Sequence, residues 1–213
     1  SEQDPNEQGF SLLYKNPSIW DFTYPAGSPI NYTPDPANSI AKIARRENRS
    51  PWEVAYDLLL ADNGQAFLMY ALTGYADGNT EAVQTMVRHP LTVLGLSDAG
   101  AHVRFIADYG VHSYMLSHYA RDAHKDDPRH MPLEFVVKRL TLDNAQVYGM
   151  PDRGRLAPGL RADVNLIDLA NLKTGQPRMV YDLPAQQARL DQTVSGYVGT
   201  WVKGTAVQRN GVD

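Results

Sequence analysis

A chain of 213 residues with 43% hydrophobic side chains is long enough to bury one generous core or two modest ones. Its formal charge of -4 comes from acids and bases scattered along the sequence, with no basic stripe for a phosphate backbone, which excludes nucleic acid as an expected partner. Cysteine is absent, ruling out disulfides and thiolate metal sites within the chain, and no apolar run reaches the roughly 18 residues that a membrane span needs.

The opening "SEQDPNEQGF" has neither the basic start nor the apolar segment of a signal peptide, and the expected compartment is the cytoplasm. Residues 1–38 are rich in Pro, Asn, Asp and aromatic side chains, and "YPAGSPINYTPDPANS" offers one turn after another, so an ordered loop is expected there. Residues 39–48 form a short amphipathic helix candidate. "SPWEVAYDLLLADNG" is a stronger one: Ser50 can cap it, Pro51 suits the first helical position, Glu53 completes a capping box, and Gly64 is placed to end it. "QAFLMYALTGYA" is ambiguous between strand and helix, with a strand over about 66–72 preferred.

"GNTEAVQTMVRHP" then opens on possible caps at Asn79 and Thr80 and stops at Pro90, as a helix should. "LTVLGLSD" carries the β-branched and leucine content of a buried strand, ending at Asp98. Further helices are expected over about 109–121 and 133–148, the latter with Leu133, Val136, Val137 and Leu140 at core-facing spacing and Gly149 at its end. From Arg153 onward β formers cluster around Gly, and "VKGT" reads as a tight hairpin.

Alternating strand and helix implies parallel β/α units, in a barrel or an open sheet. In both, the loops at the carboxyl ends of the strands carry the site, and Asp98 falls at such an end. A partly desolvated carboxylate there is suited to moving a proton or binding a metal. The plainer alternative is that Asp98 caps the turn that follows it, and that His102 is a wall residue of the loop. His112, His118, His124 and His130 recur every six residues. Six residues turn an α-helix through about 600°, leaving neighbours about 120° apart, so these side chains do not share one face. The chain holds no His-x-His and no His-x-x-x-His pair, and hence no complete shell for a catalytic zinc. "KDDPRH" reads as a solvated loop. A dinucleotide fingerprint, a P-loop and a nucleophile elbow around Ser97 are all absent.

Taken in order, "LSDAGAH", "SHYAR", "PLEFVVKRLTLDNAQVYGMPDRGRLAPGLRADVNLIDL" and "MVYDLPAQQARLDQTVSGYVGTWVKGTAVQRNG" resemble the C-terminal part of a metal-dependent amidohydrolase, most closely the D-aminoacylase (N-acyl-D-amino-acid deacylase) branch. "NYTPDPANSIAKIARREN" is also similar to that branch, so the likeness runs from about Pro29 onward. The resemblance implies an α/β fold: the C-terminal part of a (β/α)8 TIM-type barrel followed by part of a small β-sandwich. Residues 1–38 would lead in, 39–150 would form the last β/α units of the barrel, and 151–213 would be the C-terminal segment of the sandwich.

By the same resemblance Asp98 is the essential Asp at the end of the last barrel strand. It would activate a metal-bound hydroxide, deliver the proton to the leaving amine and, as in some members, touch a metal. His102 and Arg104 lie in the loop above it and are candidates for holding a substrate carboxylate. The implied cofactor is zinc, with most ligands outside this chain, and the implied partners are a small-molecule amide and the remaining N-terminal part of the enzyme. A whole barrel takes about 250 residues, so this chain is expected to be a C-terminal portion, inactive alone and exposing unpaired strand edges. The expected reaction is hydrolysis of a linear amide such as an N-acyl-D-amino acid. A cyclic amide or ureide, and a non-catalytic interaction domain lacking the metal-binding half, are the alternatives.

Overall fold

Local sequence rules build the first of the two units into which the chain divides, residues 1–85 and 86–213. The computed structural model describes residues 16–211 apart from Leu72, Leu96 and Ala99. Strand β1 (Thr23–Pro25) pairs with β2 (Leu68–Tyr70), so the preferred strand over 66–72 forms, although the pairing is antiparallel. Helices α1 (Ile40–Glu47) and α2 (Pro51–Gly64) bury Ile40, Ala41 and Ala44 together with Val54 and Ala55, and Ile19 and Trp20 from the short turn Pro17–Asp21 complete this core. Trp20 also meets Trp52 edge to face, ring centres 4.7 Å apart.

The capping box of α2 forms as its sequence dictates. Ser50 Oγ accepts the Glu53 N–H, and the Glu53 carboxylate accepts the Ser50 N–H at 2.9 Å. The other end departs from expectation, because regular geometry lapses at Ala61 and the chain turns left-handed at Asp62 and Asn63 before reaching Gly64. Asp and Asn tolerate that backbone region, so the helix unwinds before the glycine placed to stop it.

Helix α3 (Glu81–Arg88) starts on Asn79, whose side-chain oxygen accepts the Glu81 N–H at 2.9 Å. The segment after it corrects the sequence reading. Residues 92–95 join no ladder, and Val93 is 40% exposed where a buried strand was expected. A run of branched apolar residues favours a strand only when neighbouring strands pair with it and cover it, and the described residues supply none there. All described strand pairs are antiparallel, and the described residues form no closed barrel. The architecture is mixed α/β, without the parallel units that the alternation implied. Among the described residues no helix is long and apolar enough to cross a membrane.

In the second unit α4 (Val111–Tyr114) runs on into a π-helical stretch, Met115–Arg121, closed by Asp122 N–H on the Ser117 carbonyl at 2.8 Å. The single helix expected over 133–148 is two, α5 (Leu133–Leu140) and α6 (Leu142–Val147), separated at Thr141 by a non-helical backbone. Val136 is fully buried, whereas Leu133 and Val137, expected to face the core, are exposed.

A buried ion pair governs this region. Arg139 Nη1 donates to Asp143 Oδ2 at 3.1 Å, with side chains only 5% and 10% exposed. Its Nη2 donates to the Thr92 carbonyl at 2.6 Å and to Thr92 Oγ1 at 2.9 Å, which ties α5 and α6 to the segment leading toward Asp98.

The remaining strands are β3 (Val164–Ile167), β4 (Lys173–Thr174), β5 (Arg178–Leu183), β6 (Gln187–Asp191), β7 (Val194–Ser195), β8 (Tyr197–Val202) and β9 (Thr205–Arg209). They form a three-stranded sheet ordered β3-β8-β9 and the pairs β4-β7 and β5-β6. "VKGT" is the expected tight hairpin: Val202 pairs with Thr205, and Lys203 and Gly204 both have positive φ (53° and 78°). Asp163 Oδ1 accepts the Lys203 N–H at 2.8 Å and the Arg161 Nε–H at 2.8 Å, so the "RAD" of the signature pins this turn. Gly154 lies where a Cβ would stand 2.8 Å from the Leu142 Cα, which lets the signature's first turn press on α6.

Replacing Ser50 by Ala should lower stability to urea by about 1 kcal/mol, the usual cost of a lost helix cap; an unchanged midpoint would show that the box does not hold α2. Arg139→Met should cost about 1–3 kcal/mol by leaving the Thr92 carbonyl without its donor and Asp143 with Lys138 as its remaining cation. The Asp143 carboxyl is held below its ordinary range, first by Lys138 and, against the burial of the site, by Arg139. Its contribution is therefore present above about pH 3.9 and lost as pH falls through the lower native value. Arg139→Met should make that acid loss shallower in pH-dependent denaturation, and an identical acid limb would count against the pair.

Candidate active site

Asp98, His102 and Arg104 lie on one loop and all three are exposed. Asp98 takes a left-handed backbone (φ 55°), and its carbonyl accepts the Ala101 N–H at 2.9 Å. His102 is left-handed too (φ 44°), its carbonyl accepting the N–H groups of Phe105 at 2.8 Å and Ile106 at 3.2 Å. Asp and His are among the few non-glycine residues that enter this region readily, so both turns suit their residues. The partial desolvation expected of Asp98 is not seen, because the strand that would have enclosed its carboxyl end does not form.

Both flanks of the loop are pinned. Upstream, Arg139 grips Thr92, whose hydroxyl also donates to the His89 carbonyl at 3.0 Å behind α3. Downstream, the Leu190 N–H of β6 donates to the Val103 carbonyl at 2.7 Å, and the Tyr109 hydroxyl donates to the Leu190 carbonyl at 3.3 Å. Gly110 follows at a point where a Cβ would meet Thr174 Cγ2 at 2.4 Å, so only glycine lets α4 start this close to β4. Ser113 Oγ lies 3.1 Å from the Tyr197 hydroxyl, and Arg121 Nη1 donates to the carbonyls of Leu169 and Leu172 at 2.8 and 2.6 Å. The β strands of this unit thus serve as a platform for the loop and the helix after it.

Asp108 is a carboxylate that the sequence reading passed over. It opens the short turn Asp108–Gly110. Although the residue has solvent access, protein packed around its carboxyl, and then the negative charge of Asp98, raise its pKa above the ordinary Asp value. Asp108 thus senses the charge of Asp98 across the loop. Its only signal in the sequence is its place just ahead of the expected helix over 109–121.

Other expectations meet a different structure. Of the evenly spaced histidines, His112 and His124 are exposed, while His118 and His130 are half-buried. "KDDPRH" is ordered and not merely solvated: Arg129 clasps Asp127, and His130 Nδ1–H donates to the Ala123 carbonyl at 2.9 Å.

Residues 26–208 match the model of the amidohydrolase family. The chain belongs to the amidohydrolase family. A protein of Mycobacterium tuberculosis described as uncharacterized is 30% identical over 212 residues, covering 95% of this amidohydrolase chain and 33% of that protein. An allantoinase of Deinococcus radiodurans is 37% identical over 84 residues, 39% of this chain and 18% of that enzyme. A crystal structure of D-aminoacylase is similar with a TM-score of 0.46 and 23% identity, over 89% of this chain and 35% of that one, a likeness too slight to carry an argument. The chain spans about a third of the length of the relatives that match nearly all of it.

Among the described residues no group of three or more His, Cys, Asp or Glu side chains is placed to hold a metal ion. Asp98 offers one exposed carboxylate, so these residues do not by themselves fit the shell of a catalytic zinc, which takes three protein ligands.

Asp98→Asn should move the Asp108 pKa down toward the ordinary carboxylate value yet leave it raised, since burial is the larger cause. A carbon-13 carboxyl titration checks this, and an unmoved Asp108 would show that the two groups do not interact.

Proposed function

We propose that this chain is the C-terminal part of a zinc-dependent amidohydrolase of the D-aminoacylase branch, with Asp98 as its general acid and base and a linear amide such as an N-acyl-D-amino acid as substrate. One observation supports the reading: the family match spans residues 26–208 and so takes in both the Asp98 loop and the "GRLAPGLRADVNLIDL" segment. The pinned flanks of the loop support it, because an exposed carboxylate acts reproducibly only if its position is fixed.

The proton account closes on Asp98 alone. Its carboxylate accepts a proton as a water oxygen bonds to the amide carbon, then returns that proton to the amide nitrogen as the C–N bond breaks, releasing acid and amine. Arg104 and His102, one always cationic and one able to become so, sit within six positions of Asp98, where a substrate carboxylate would be held. Zinc and most of its ligands would come from the part of the enzyme beyond these residues. Asp98 would add at most one ligand.

The stretch similar to an allantoinase favours a second reading, a cyclic amide or ureide as substrate for the same site. A panel of N-acyl-D-amino acids, their L-isomers and cyclic ureides on the complete enzyme separates the two.

In that enzyme Asp98→Asn should lower kcat about a thousandfold, within the usual range for losing a general acid-base group, and leave metal content and KM near those of the parent. Turnover near the parent's would contradict the assignment.

A further inference from the structure

The π-helical stretch carries a histidine that the proposed chemistry does not use. The His118 ring stacks on Tyr114 (centroids 4.5 Å apart, planes at 13°) and stands edge-on to Tyr119 at 4.8 Å. Its Nε2 lies 3.3 Å from Arg129 Nη1. A guanidinium has donors only, so this contact is a hydrogen bond only when the ring is neutral, with its proton on Nδ1 and the Nε2 lone pair facing Arg129.

Arg129 is not free to yield. Its Nε–H donates to both oxygens of Asp127 at 3.0 and 3.1 Å, its Nη2 donates to Oδ2 at 2.5 Å, and its backbone N–H donates to Oδ1 at 2.8 Å. The 124–131 loop so formed folds back on the π stretch, with Met131 N–H on the Tyr119 carbonyl at 2.9 Å. The same loop holds α3 from below, since Arg88 Nη2 donates to the carbonyls of Pro128 at 2.8 Å and His130 at 3.2 Å.

We propose that His118 and Arg129 form a proton-operated latch that fastens the 124–131 loop to the π-helical stretch when His118 is neutral and releases it when a proton occupies Nε2. The new N–H faces an N–H donor, and two positive charges meet where a hydrogen bond had been. Asp127 keeps Arg129 charged and in place, so the ring contact gives way, and the loop that grips Arg88 loosens with it. The charges that reach His118 are those of Arg129, Asp122 and Asp127, with Tyr114 and Tyr119 as its aromatic walls. Burial first, and then Arg129, lower its pKa below the ordinary histidine value, whereas the two aspartates oppose them. Asp127, drawn down to about 2 chiefly by its bond to Arg129, stays ionised throughout.

The sign follows from linkage. The unfolded chain takes up the proton more readily than the folded one, so stability from this contact is complete above about pH 6.5 and is lost as pH falls from there through the lower native value.

A titration of the His118 ring by NMR on the full chain, with amide exchange at His130 and Met131, tests the latch. The His118 midpoint should lie below about 6.5, and Arg129→Gln should raise it toward that value. In the parent chain, protection of the two amides, corrected for intrinsic exchange, should drop about tenfold or more between about pH 7.5 and about pH 5. In His118→Gln, whose side-chain oxygen accepts from Arg129 without titrating, protection should be level with pH. A midpoint at or above about 6.5 that Arg129→Gln leaves unmoved, or protection level with pH in the parent, overturns the proposal. Should His118→Gln not fold, the Arg129→Gln titration decides alone.

Discussion

The guanidinium of Arg139 ties the junction of two helices to a segment 47 to 50 positions earlier in the chain. It reaches Asp143 across the break at Thr141, the Thr92 backbone and hydroxyl, and the turn that closes α3. An arginine buried this deeply is tolerable only because donors on both terminal nitrogens are matched by acceptors. The pair also bridges the break at Thr141 in the helix expected over 133–148. An Arg139–Asp143 pair spaced like one helical turn survives the kink, while the kink points α6 at Gly154 and the first turn of the "GRLAPG" signature.

What Arg139 does upstream of the Asp98 loop, the β strands do downstream. Leu190 spends its own N–H and carbonyl on Val103 and Tyr109, and Gly110 lets α4 begin directly on β4. The "GRLAPGLRADVNLIDL" segment is, in physical terms, a structural device: Gly154 permits a close approach, Gly159 takes a positive φ, and Asp163 ties the β8–β9 turn.

What could be read from the sequence was what a few neighbouring residues decide. The Ser50–Glu53 box, the Asn79 cap and the "VKGT" hairpin are each fixed by side chains within four positions, and each formed. Residues 92–95 read as a buried strand, but apolar content specifies burial in a sheet only if other strands arrive to pair with it. The parallel barrel units failed for the same reason, while the mixed α/β character held. At the candidate site, Asp98 stands out in the sequence through its place after an apolar run and through the family resemblance. Asp108 does not, since its raised pKa depends on packing that no local pattern encodes. His118 was weighed only as a metal ligand on an α-helix; its stacking on Tyr114 and its contact with Arg129, eleven positions away, are tertiary.

The role proposed for the two pinned flanks is to hold the Asp98 carboxylate at a reacting amide. A crystal structure of the complete enzyme with a non-hydrolysable mimic of the tetrahedral intermediate would test that role. An Asp98 oxygen is expected within about 3 Å of the atom that stands for the attacking oxygen or the leaving nitrogen. Asp98 facing solvent, with another carboxylate at that position, would contradict it.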